Sequence, residues 1–150
     1  MMANATWNKM IEIMKQDVIP ATGCTEPVSM AFAAATAARY LGEPVQSIAA
    51  RVSANLMKNG MGVMVPGTGR PGLYIAAAVG ALGGNPDKGL QVLSGISQDV
   101  VDQGAAMVDD GRVTVQIAKE VPYVLYSEAI VKGASHTVKV CVANAHTHVI

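Results

Sequence analysis

A proline-bracketed turn, Ile19-Pro20-Ala21-Thr22-Gly23-Cys24-Thr25-Glu26-Pro27, separates two helical patterns and sets the course of everything after it. Pro20 has no amide proton and a fixed φ, so the helix before it is expected to stop near Val18. Thr25 reads as an N-cap, with Glu26 and Pro27 in the first turn of a long alanine-rich helix. Cys24 then lies just ahead of a helix N-terminus, where the macrodipole favours a thiolate. Spacing leaves two readings open: a poised thiolate that binds metal or attacks carbon, and a small thiol packed in a turn.

Upstream, Trp7, Met10, Ile11, Met14 and Val18 fall on one face of a helix, with Lys9, Glu12, Gln16 and Asp17 on the other. This is the pattern of an amphipathic surface helix. The helix from Glu26 to Leu41 is apolar nearly all round, the mark of a buried one, and Gly42-Glu43-Pro44 ends it. Ser47 to Asn55 alternates as a half-buried strand. The following stretch, from Asn55 to Gly72, is expected to be a loop because glycine and proline recur through it. It matches neither a phosphate-binding P-loop nor a dinucleotide fingerprint, but its backbone N–H groups suit a carboxylate or phosphate.

Leu73 to Leu82 predicts a helix closed by Gly83-Gly84, Asn85-Pro86-Asp87 opens a short helix through Leu93, and Ser97 caps a third. The period then changes to two. Val113, Val115 and Ile117 mark one strand, Tyr123 to Val131 a second, and Thr137 to Ala143 a third after a hairpin turn at Lys132-Gly133-Ala134-Ser135. On the last, Val138, Val140 and Val142 face one way, and Cys141 faces the other with Thr137 and Lys139. The fold class is therefore α/β (α+β): N-terminal helices, one strand, a Gly-rich loop, three helices, then an antiparallel β meander. Residues 1–150 read as a single domain.

Composition narrows the function classes. Hydrophobic residues make up 51% and aromatics only 4%, so the core must be built by close backbone packing of small side chains. Eleven basic and eleven acidic residues balance to a formal net charge of zero, with no basic patch to bind nucleic acid. No apolar segment is long enough to span a bilayer, and no signal peptide precedes the first helix. Two cysteines make neither a disulfide framework nor a Cys-x-x-Cys metal motif, which fits a reducing, cytoplasmic setting. The high apolar content and the strand-like end at His146-Thr147-His148-Val149-Ile150 point to an exposed sticky face and to self-association as a homo-oligomer. His146 and His148 share a face if that end is a strand, a pair that suits zinc; the alternative is a terminal polar stretch.

The run Val18-Ile19-Pro20-Ala21-Thr22-Gly23-Cys24-Thr25-Glu26-Pro27 resembles the N-terminal signature of the L-cysteine desulfidase family, which is related to the alpha chain of iron–sulfur L-serine dehydratases. The resemblance continues through Ser53-Ala54-Asn55-Leu56-Met57-Lys58-Asn59-Gly60-Met61-Gly62-Val63, Val65-Pro66-Gly67-Thr68-Gly69, Ile75 to Gly84, and Ala145-His146-Thr147. It implies the N-terminal portion of a longer serine dehydratase alpha-like protein: a cytoplasmic lyase eliminating sulfide from L-cysteine, or water from L-serine, to give pyruvate and ammonia. The implied cofactor is a [4Fe-4S] cluster held by three cysteines. Its open iron would act as a Lewis acid on the amino-acid substrate. Cys24 corresponds to the first cluster cysteine, and Cys141 to none of the three. With one ligand of three, the chain alone is expected to lack the cluster and activity, as a truncated product or a partner of a missing C-terminal portion. Thr25, Glu26, Lys58, Asn59, Thr68 and His146 are the candidate substrate contacts, and no residue is assigned as the base. The alternative reading is a non-catalytic domain that binds a small amino acid or another subunit without a cluster.

Overall fold

Alanine and glycine let two helices lie almost in contact over one face of a four-stranded sheet. The computed structural model describes residues 4–150, and the elements follow in the order α1 (Ala5–Asp17), α2 (Thr25–Leu41), β1 (Ser47–Val52), α3 (Ala54–Gly60), α4 (Leu73–Gly83), a 3₁₀ helix (Pro86–Gln91), α5 (Gln98–Asp109), β2 (Val113–Ile117), β3 (Tyr126–Lys132) and β4 (Thr137–Ala143). The α/β class expected from the sequence is the one found.

The sheet runs β2-β1-β3-β4. β3 and β4 form the antiparallel hairpin expected at the C-terminal end, and β1 pairs antiparallel with β3 from Ser47↔Lys132 to Val52↔Ser127. β1 also inserts between β2 and β3, pairing parallel with β2 from Ile48↔Val113 to Val52↔Ile117. A parallel pair needs a long crossover, and here α3, α4, the 3₁₀ helix and α5 supply it.

One sheet face is apolar: Ile48, Ala50 and Val52 of β1, Val113 and Val115 of β2, Ala129 and Val131 of β3, and Val140 and Val142 of β4 are all buried. α2 covers β3 and β4 on this face, α4 covers β1 and β2, and α5 packs outside α4. Eleven consecutive residues of α2, Pro27 through Ala37, are buried, as a helix apolar on every side requires. Its contact with α4 is backbone-close, because a Cβ on Gly80 would collide with the Ala31 carbonyl oxygen. Gly42 ends α2 in the left-handed region at φ 67°, a cap that glycine adopts without strain. Inside this apolar layer a polar pair ties helix to sheet: the hydroxyls of Ser29 (α2) and Ser127 (β3) are 2.9 Å apart and both buried.

Several boundaries differ from the sequence reading. The expected loop from Asn55 to Gly72 begins with α3, because Ser53 caps a helix there: its hydroxyl accepts from the Leu56 N–H at 3.4 Å and donates to the Val124 carbonyl at 2.6 Å. β1 accordingly ends at Val52, ahead of Asn55. Cys24, not Thr25, occupies the N-cap position of α2, and no side chain caps that helix. The final segment is no regular strand. It returns along β4, with Ala143 N–H donating to the His148 carbonyl and Ile150 N–H to that of Cys141.

α1 ends at Asp17 with Val18 as its C-cap, as the turn sequence requires. No residue of α1 is buried.

Candidate functional site

The turn that precedes α2 is fixed at two points before it reaches Cys24. Thr22 donates through both its N–H (3.2 Å) and its hydroxyl (3.0 Å) to the Leu90 carbonyl. Gly23 lies so close to the Pro66 ring that an added Cβ would approach Cγ to 2.5 Å. Glycine is needed there for space. The turn is thus clamped between the 3₁₀ helix and the glycine-rich segment, and it delivers Cys24 to the first turn of α2.

There the Cys24 thiol donates to Glu26 Oε2 at 3.0 Å, and the Thr25 hydroxyl reaches the same oxygen at 3.4 Å. That hydrogen bond to a carboxylate pushes the Cys24 thiol above its ordinary pKa, with desolvation adding to the shift. The helix dipole favours a thiolate at Cys24, but a carboxylate in hydrogen-bond contact acts more strongly and in the opposite sense. Glu26 moves the other way. The thiol's hydrogen bond holds its carboxyl below the usual range, and the His146 ring and the Asn59 side chain add to that lowering. Glu26 is half-buried, while Cys24, Lys58 and Asn59 are exposed.

The structure therefore gathers Cys24, Thr25, Glu26, Asn59 and His146 from three separated stretches: the start of α2, the C-terminal turn of α3 and the segment after β4. Lys58 stands beside Asn59 on α3. His146 has one ring nitrogen, Nε2, enclosed and without a hydrogen-bond partner. His148 is not its neighbour on a strand face; its Nδ1 lies 3.0 Å from the Ala143 carbonyl, a local backbone contact.

Thr68 has a different task. Its buried hydroxyl lies 2.8 Å from the Val65 carbonyl and 3.0 Å from that of Arg70, and it accepts from the Arg70 N–H at 3.1 Å. The N–H groups of Val65, Thr68, Arg70 and Gly72 all donate within the segment. Arg70 closes it from outside with a two-point ion pair to Asp109 at 2.7 and 2.9 Å. The glycine-rich stretch is thus a self-satisfied buttress for the Cys24 turn, with those amides already taken.

A second polar cluster, missed in the sequence, lies on the opposite face of the sheet. Glu128 of β3 is only 3% exposed because Ala118, Val121 and Tyr123 pack with Tyr126, Cys141 and Ala143 over that face. The Tyr126 hydroxyl donates to Glu128 Oε2 at 2.6 Å, and the Cys141 sulfur is 3.4 Å from that hydroxyl. Burial, then the hydrogen bonds to Cys141 and Glu128, push the Tyr126 phenol well above its usual pKa. Arg51 Nη1 stands 3.5 Å from Glu128 Oε1, near enough for charge attraction but outside the geometry of a hydrogen bond. The signal in sequence was Glu128, a charged residue just ahead of the apolar run Ala129-Ile130-Val131.

The two cysteines thus sit in separate networks, Cys24 with Glu26 and Cys141 with Tyr126 and Glu128. Among the described residues, no three His, Cys, Asp or Glu side chains converge as metal ligands. These residues do not fit a three-cysteine cluster.

Comparison with known proteins bears on the same point. The chain is 54% identical over 144 residues to a protein of Chromobacterium violaceum, covering 96% of this chain and 33% of that relative. It is 47% identical over 149 residues to one of Oleidesulfovibrio alaskensis, covering 99% of this chain and 35% of the relative. It is 50% identical over 149 residues to one of Yersinia enterocolitica, covering 98% and 33%. All three carry the name UPF0597 protein, which states no activity. The chain spans about a third of the length of these curated relatives. No family model and no solved structure matches it. The resemblance to L-cysteine desulfidase is corrected accordingly: these relatives bear another name, and nothing in them supports a truncated iron–sulfur lyase. No described helix is long and apolar enough to cross a membrane.

Proposed function

We propose that this chain is a binding domain for a small zwitterionic amino acid, held at the Glu26–Asn59–His146 cluster. The observation that carries this reading is a carboxylate that stays ionised and half-open while three elements of the fold converge on it. An ammonium group is the natural partner for Glu26 Oε2, where it takes the place of the Cys24 thiol. The exposed Lys58 ammonium, next to Asn59 on α3, is the group offered to the ligand's carboxylate. Both cysteines are free thiols, which suits a reducing, cytoplasmic setting.

The cluster is shallow, and an open site leaves a zwitterion largely hydrated, so a dissociation constant of roughly millimolar is expected. Isothermal titration calorimetry with L-alanine, L-serine and L-cysteine tests it. Saturable binding that weakens about tenfold or more in Glu26→Gln, with the variant's fold confirmed by circular dichroism, supports the reading. Binding equally strong in Glu26→Gln, or none for any of the three, refutes it.

A further inference from the structure

α1 is a thirteen-residue helix with an apolar side and no buried residue. Trp7 is 67% exposed, Met14 62% and Val18 74%, and Met10 and Ile11 complete the same stripe. A run of large side chains at that spacing is the sequence pattern of a helix that packs, yet among the described residues nothing covers it. Ile19 is exposed at the start of the turn, and Met61 and Met64 are exposed on the segment whose Pro66 presses on Gly23.

Two quantities decide what covers it. Five side chains on one short helix offer on the order of 400 Å² of apolar surface, about half of the roughly 800 Å² per partner that a stable interface between free proteins uses. A tethered polypeptide needs far less, because its effective concentration is already high. The curated relatives supply such a polypeptide: about two thirds of their length lies outside the match to this chain.

We infer that the α1 stripe is the docking face for that remaining polypeptide of the full-length relatives. The occupant is an apolar surface of that polypeptide. The inference rests on exposure and length alone and holds whatever ligand the cluster takes.

Hydrogen–deuterium exchange tests it on this 150-residue chain and on the full-length Chromobacterium violaceum relative, each over a dilution series. In the relative, amides of the segment aligned with residues 5–18 should exchange about tenfold or more slowly than in this chain, independent of concentration. In this chain, Met14→Asp should leave the unfolding midpoint unchanged, since the helix buries nothing. Equal, fast exchange in both proteins overturns the inference. So does protection in this chain that fades on dilution, which would make a second copy the occupant. Tenfold protection in the relative that disappears on dilution also overturns it, because the cover would then come from another molecule.

Discussion

The Cys24 thiol donates to Glu26 Oε2 across 3.0 Å, so each group opposes the other's ordinary titration: the thiol is held protonated and the carboxyl ionised. Removing the carboxylate should release the thiol. In Glu26→Ala the thiolate absorbance near 240 nm is expected to appear at lower pH than in the parent, and alkylation by iodoacetamide at pH 8 to run several-fold faster. An unchanged titration would mean that the contact does not govern the thiol. The linkage has a definite sign. Cys24 has its pKa raised from 9.0 in the fold, so its contribution to stability is complete below pH 9 and declines above it, through the raised folded value.

Acid should act on the other side of neutrality. Glu26 and Glu43 are both lowered from 4.5, the first by the Cys24 thiol and the second by the backbone N–H groups of Ser135 and His136. Asp87 and Asp109 are lowered from 3.8 by Arg39 and Arg70. Each binds its proton more readily in the unfolded chain. Stability is therefore fully present at pH 7 and is lost as pH falls below 4.5 through the lowered folded values. Urea midpoints measured from pH 7 to pH 3 should drop in that window, and more gently in Glu43→Gln. A parent curve that stays flat to pH 3 would contradict the assignment.

Glycine at position 80 sets the distance between α2 and α4. Gly80→Ala would drive a methyl group into the Ala31 carbonyl, a backbone atom that cannot rotate away. The helices must separate, and destabilisation of at least about 1–3 kcal/mol is expected. Chemical denaturation measures it. The same change at Gly62, where a Cβ would meet nothing within 4 Å, should cost far less.

Local rules made most of this fold legible. Gly42 as a cap, the alternation of Val138, Val140 and Val142, and the buried character of α2 all follow from spacing that a single element satisfies on its own. The helix α3 was obscured because glycines and prolines after residue 60 dominate the composition of the whole stretch, whereas Ser53 and the six residues before Gly60 carry a cap and a helical run. The parallel pairing of β1 with β2 joins strands separated by four helices, and no local pattern encodes it. At the site, the dipole argument for Cys24 overlooked the carboxylate two residues on, which the helical turn folds back to the sulfur. Asn59 and His146 reach Glu26 only through the tertiary fold. The burial of Glu128 depends on residues 118–125 crossing the outer sheet face, again invisible to strand periodicity.

The Ser29–Ser127 pair makes the last and sharpest test of the packing between α2 and the sheet. Both hydroxyls are buried among apolar side chains, 2.9 Å apart, and the Ser127 oxygen also lies 3.4 Å from the Ser29 carbonyl. Ser29→Ala leaves the Ser127 hydroxyl that backbone contact, whereas Ser127→Ala leaves the Ser29 hydroxyl with neither partner. Ser127→Ala should therefore be the more harmful, at about 1–3 kcal/mol. Removing both hydroxyls eliminates the unpaired group, so the double variant should be less destabilised than the two single changes summed. A double-mutant cycle by urea denaturation decides it. Strict additivity would mean that the two hydroxyls do not depend on each other, and that α2 is held to β3 by apolar packing alone.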